Sequence, residues 1–163
     1  MSRFSTLQLG IIGLRGSDQR FSRQDRFRYF SIAGLSSAIL LIGRLLRPSA
    51  EGVGTHQQLG LPPCAFLHLT GIPCPSCGLT TSVAHAAHLH FMQSILTQPF
   101  GFVVFVFALL SIPFSIYFIN RRIPISALAD LPGRKFATGL MLALFLLSWF
   151  YKIAAMKTLI PHI

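Results

Sequence analysis

Residues 100–119 read FGFVVFVFALLSIPFSIYFI, twenty residues with no charge and seven Phe or Tyr. A helix rising 1.5 Å per residue crosses ~30 Å over that length, the thickness of a bilayer's hydrocarbon core. Lipid offers no water to backbone N–H and C=O groups, so such a segment is expected as a transmembrane helix. Pro113 falls inside it and predicts a kink, with Ser111 placed to satisfy the freed backbone groups.

Two more stretches meet the same test. One runs from about Tyr29 to Leu46, YFSIAGLSSAILLIGRLL, with Arg44 close enough to its end to snorkel to the interface. The other runs from about Phe136 to Met156, with Lys152 near its end. The expected fold is an all-α membrane protein with about three transmembrane helices, over 29–46, 100–119 and 136–156. They sit in a membrane domain of residues 29–156, flanked by a basic segment (1–28) and a tail (157–163). Gly34 with Ala38, and Gly139 with Ala143, are small residues four apart, which suggests that spans one and three pack together.

Composition agrees. The 163 residues are 52% hydrophobic and 11% charged, against about 25% charged in a soluble domain. The charge is basic, 14 Lys+Arg against 4 Asp+Glu. These residues flank apolar runs and form no basic face interleaved with aromatics, so nucleic acid is not expected as a partner. The expected partners are the lipid bilayer and other membrane proteins. The first 28 residues carry six Arg and no long apolar core, so the first apolar run reads as a retained span and not as a cleaved signal.

Ten Lys or Arg lie in residues 1–28 and in the connection between spans two and three, whereas residues 48–99 carry none and the tail end has Lys152 and Lys157. By the positive-inside rule, the N-terminus and the second connection are cytoplasmic. All three cysteines and six histidines then fall on the extracytoplasmic side of an inner (plasma) membrane or at its interface.

The connection 48–99 opens as a Gly- and Pro-rich loop. It then carries Thr70-Gly71-Ile72-Pro73-Cys74-Pro75-Ser76-Cys77-Gly78. Pro73 and Pro75 stiffen this turn, and a C-x-x-C pair can bind metal, form a disulfide or exchange one. Residues 79–96 lack Gly and Pro and predict a helix, started by Thr80 as cap, that is interfacial or re-entrant within a cysteine/histidine segment 64–98. A tetrahedral site needs four ligands. Cys64, Cys74, Cys77 and His85 are the candidate set, with His68, His88 and His90 as further imidazoles and zinc as the implied metal. The competing reading is redox. Two of three thiols tend to pair in an oxidising space, and Cys77 sits before a helix N-terminus that would lower its pKa. Glu51 is the single carboxylate on that side, too few for acid–base pairs, and no Ser–His–Asp set is present.

Cys64-x-Phe66, the run Thr70 to Thr80 and Pro99-x-Gly101 resemble the bacterial domain of unknown function 2752 family, over about Cys64 to Leu110. That family combines a cysteine, a T-G-x-x-C-P-x-C-G-x-T run and an N-P step before an apolar helix. Here Thr81 replaces the family's usual Arg, Leu89-His90 its Gly-Asp pair, and Gln98 the Asn. The resemblance implies a shared fold and no established biochemistry. The expected function is a non-enzymatic membrane component or accessory subunit with a structural cysteine motif. The alternative is a thiol-redox or metal-handling protein using Cys74 and Cys77.

Overall fold

The computed structural model describes residues 21–129 and 133–159, and among them regular structure is helical throughout. The elements are α1 (Arg23–Leu45), a 3-10 turn (Thr55–Leu59), α2 (Ala65–Thr70), α3 (Leu79–Ala87), α4 (Phe91–Thr97), α5 (Pro99–Arg121), α6 (Ile125–Ala129) and α7 (Arg134–Leu159). Arg3, Arg15 and Arg20 of the basic segment, and His162 of the tail, lie outside the described residues.

Three helices, α1, α5 and α7, are long and apolar enough to cross a membrane. They expose large apolar side chains such as Leu35, Phe107, Phe114 and Leu147, which a lipid environment accommodates without cost. Helix α1 starts six residues before the apolar run expected at Tyr29 because a capping box forms. Ser22 Oγ accepts from Gln24 N and Asp25 N, while Asp25 Oδ2 accepts from Ser22 N. Helix α5 begins with Pro99 at its first position, where a missing N–H costs nothing.

Helices α1 and α5 run antiparallel. At one end Tyr29 Oη donates to Ile123 O at 3.2 Å. Midway Ser111 Oγ lies 2.6 Å from Ser36 Oγ. Helix α5 continues through Pro113, and the Ser111 hydroxyl serves Ala108 O (2.9 Å) and this bridge to α1. Helix α7 touches the pair mainly at the N-terminus of α5. There Ser148 Oγ accepts from Phe100 N at 3.1 Å, and the Phe100 and Phe145 rings meet edge-on at 5.1 Å. The expected packing of spans one and three through their small residues is not what the chain adopts. A Cβ added at Gly34 or Gly139 would meet nothing within 4 Å.

Helices α3 and α4 form a short hairpin against the C-terminal turns of α1 and the N-terminal turns of α5. Val83 and Ala86 of α3 are buried with Phe105 of α5, and Ile39, Leu40 and Phe102 pack on them. The close approach depends on Gly101: a Cβ there would lie 2.6 Å from Ser82 Cβ. Ser82 and Ser94 close the hairpin with a buried network. Ser82 Oγ reaches Ser94 O, Ser94 Oγ and Gln98 O, all at 2.9 Å, and Ser94 Oγ donates to Ser82 O at 2.8 Å.

The single helix expected over 79–96 is therefore broken. Leu89 takes a left-handed conformation, φ 65°. His90 N donates to His85 O and Leu89 N to Ala86 O, the pair of bonds of a Schellman stop. Glycine is the usual residue at that position; here it is leucine. The helix starts at Leu79 as expected, but the residue before it that takes the turn is Gly78, at φ 87°, and Thr80 lies inside the helix and does not cap it.

Candidate functional site

The cysteines converge at the end of the bundle where α1 finishes, α5 starts and α7 finishes. Cys64 precedes α2, whose C-terminal glycine, Gly71 at φ 68°, turns the chain back into the Pro73–Gly78 loop. Within that loop Cys77 N donates to Cys74 O at 2.9 Å and Leu79 N to Ser76 O at 3.0 Å. This tight turn aims both thiols to one side.

The three sulfur atoms all lie within 4.8 Å of one another. Cys74 Sγ and Cys77 Sγ are 3.0 Å apart, and Ser76 Oγ is 3.3 Å from Cys74 Sγ. Thiolates sharing a tetrahedral zinc at Zn–S of about 2.3 Å stand roughly 3.8 Å apart. The Cys74–Cys77 pair is closer than that and every pair lies within 4.8 Å, so small side-chain adjustments suffice to seat an ion. The cysteines border a cavity of about 460 Å³, to which His56, His68 and Glu51 also contribute.

The loop is anchored by groups far along the chain. Trp149 Nε1 donates to Pro73 O at 2.8 Å and Gln98 Nε2 to Pro75 O at 2.9 Å. The two carbonyls that bracket Cys74 are thus held by α7 and by the turn before α5. Buried Lys152 donates to Gly52 O (3.1 Å) and Thr97 O (3.2 Å), joining the loop after α1 to the end of α4. Gly78 packs into this junction: a Cβ there would lie 2.8 Å from Gly52 O and 3.1 Å from Lys152 Nζ. Fully buried Thr81 bonds Thr55 Oγ1 at 2.8 Å. Thr55 Oγ1 in turn accepts from Ser49 N. None of these ties has a local sequence signal, because each joins residues distant in the chain.

The thiols are not equivalent. Burial pushes the Cys74 thiol up, but hydrogen bonds with Ser76, Cys77 and Cys64 outweigh it and leave it below its usual value. Burial pushes Cys77 strongly up, and its hydrogen bonds with Cys74 and Cys64 add to this. This reverses the expectation that the helix N-terminus favours the Cys77 thiolate. Both cysteines line the cavity, but Cys77 is buried while Cys74 is half-buried.

The histidines divide into two groups. His56 and His68 border the cysteine cavity. His85, His88 and His90 gather at the other end of α3, with His85 and His90 ring centres 6.1 Å apart and those of His88 and His90 6.5 Å apart. Burial, then His90 and His88, hold the His85 imidazole below its usual value, and its buried Nδ1 has no partner among the described residues. His88 Nδ1 is 3.0 Å from Arg44 Nη1. A guanidinium can only donate, so that nitrogen accepts and Nε2 carries the proton donated to Leu46 O at 3.1 Å. His88 is thereby a clasp between α3 and the end of α1. Of the four candidate ligands, the structure brings together Cys64, Cys74 and Cys77 and places His85 with the other histidines.

No curated protein and no solved structure matches this chain. Residues 64–112, which hold the three cysteines, the α3–α4 hairpin and the first half of α5, match the family model described as protein of unknown function (DUF2752), the family that the cysteine motif resembles.

Proposed function

We propose that this membrane protein uses Cys64, Cys74 and Cys77 to hold one metal ion, zinc, and that the centre is structural. The observation that carries the reading is the convergence of three sulfurs, from two separate chain segments, within 4.8 Å. Soft thiolates select zinc over hard cations, and the lone carboxylate at the cavity, Glu51, offers little to calcium or magnesium. An ion there would clip the 64–78 loop over the ends of α1, α5 and α7. Among the described residues the cavity holds one carboxylate, Glu51, and no paired acids of the kind a hydrolase uses, which supports an accessory component of a membrane assembly over an enzyme.

We place the protein in a bacterial inner membrane with the N-terminus in the cytoplasm and the cysteine loop outside. Ten of the 14 Lys and Arg support this, against Arg44, Arg47, Lys152 and Lys157 at the opposite ends of the spans. Helix α3, nine residues long, reaches about half of the ~30 Å core. The α3–α4 hairpin therefore fits a re-entrant or interfacial element, with the backbone carbonyls of Ser82, Ser94 and Gln98 bonded by the Ser82 and Ser94 hydroxyls.

Single Cys→Ser variants, expressed in cells, test the reading. Each is expected to lower both membrane-fraction protein level and zinc per chain. Variants with wild-type level and zinc would overturn it. A thiol-exchange role is favoured by one observation, the half-buried Cys74 Sγ lying 3.0 Å from the Cys77 Sγ that could resolve a mixed disulfide. Its signature is a mixed disulfide on Cys74 that accumulates in Cys77→Ser.

A further inference from the structure

Three thiolates leave a tetrahedral zinc one ligand short. We propose that His68 supplies the fourth, closing a Cys3His zinc centre. This rests on the metal reading above and goes beyond it by naming the ligand that makes the site closed and structural.

Cys64 caps α2 and His68 lies in its last turn, and His68 N donates to Cys64 O at 3.0 Å, so the two residues stand one helical turn apart. The resulting order, Cys64-x3-His68 followed by Cys74-x2-Cys77, falls within the ligand spacings of structural zinc sites. His68 borders the same cavity as all three cysteines. It is also exposed, so a change of rotamer can carry its ring toward the sulfurs without disturbing a packed core.

The other candidates are less well placed. His56 also borders the cavity, and its Nε2–H on Pro62 O at 3.2 Å leaves Nδ1 open, but it lies in a separate 3-10 turn with no short spacing to any cysteine. Both nitrogens of His88 are used, by Arg44 and by Leu46 O. His85 and His90 face one another at the far end of α3. Glu51 is a hard ligand in a soft set.

The test uses full-length protein in detergent, stripped of metal and titrated with cobalt(II), then competed with zinc(II). Wild type is expected to bind one cobalt with the intense visible bands of a tetrahedral thiolate site. His68→Ala is expected to weaken binding by more than the roughly 10–100-fold that loss of an outer-shell partner costs, and to shift those bands. His68→Cys is expected to restore tetrahedral binding with added sulfur-to-cobalt charge-transfer absorption. His56→Ala is expected to match wild type. His68→Ala with unchanged affinity and spectrum would overturn the fourth-ligand assignment and leave the three-thiolate centre standing. Wild type that binds neither ion would overturn the centre itself, and the assignment with it.

Discussion

The Trp149 indole donates to Pro73 O at 2.8 Å, so the third span holds the residue that precedes Cys74. Trp149→Phe keeps the ring and removes the donor. A buried carbonyl left unpaired costs about 1–3 kcal/mol. The variant should melt at lower temperature in detergent, and metal-free Cys74 should alkylate faster than in wild type. Unchanged melting and alkylation would show that the loop is held without this bond.

Gly101 and Gly34 should respond oppositely to the same change. At Gly101 a methyl would sit 2.6 Å from Ser82 Cβ, and overpacking of this kind costs about 1–3 kcal/mol. At Gly34 it meets nothing within 4 Å, and alanine improves a helix interior by roughly 0.5–1 kcal/mol. Thermal unfolding of Gly101→Ala and Gly34→Ala measures both signs. Equal responses would mean that the α3–α5 contact is not made.

Leu89 holds a left-handed backbone at φ 65°, which costs a residue with a Cβ about 1–2 kcal/mol. Leu89→Gly relieves it at an exposed position. After the unfolded-state entropy that glycine adds, the variant should still be more stable than wild type. A loss of stability would indicate that the hairpin does not turn there.

His85 gives the fold an acid limit. Burial, then His90 and His88, lower its pKa in the folded protein from the usual 6.5. Below about 6.5 the unfolded chain therefore binds a proton that the folded chain resists. Stability should be fully present above that pH and fall as pH drops through it, down to the folded pKa. Melting temperatures from pH 8 to pH 5 should show this fall in wild type and a shallower one in His85→Phe. Parallel curves would remove His85 as the cause.

Much of the fold could be read from local pattern. The spans follow from charge-free runs such as Phe100–Ile119, because lipid makes length and polarity decisive. The proximity of Cys74 and Cys77 follows from their spacing and the flanking prolines. Other features depended on tertiary structure. The break at Leu89 lacks its glycine signal, and Gly78, not Thr80, takes the turn before the helix. The ties from Gln98, Trp149 and Lys152 join distant residues, which no spacing announces. His85 belongs to the candidate ligand set by sequence, but the fold gathers it with His88 and His90. The Cys64-x3-His68 spacing carried a local signal, and it gains force once α2 is seen to begin beside Cys64.

The central claim is that three thiols share one metal ion. The most direct measurement is alkylation of the protein, purified without reductant or chelator, followed by mass spectrometry with and without chelator, alongside a zinc assay. The account predicts one zinc per chain, three cysteines protected until chelator is added, and no mass change on reduction alone. Two cysteines released only by reductant, with no zinc, would contradict it.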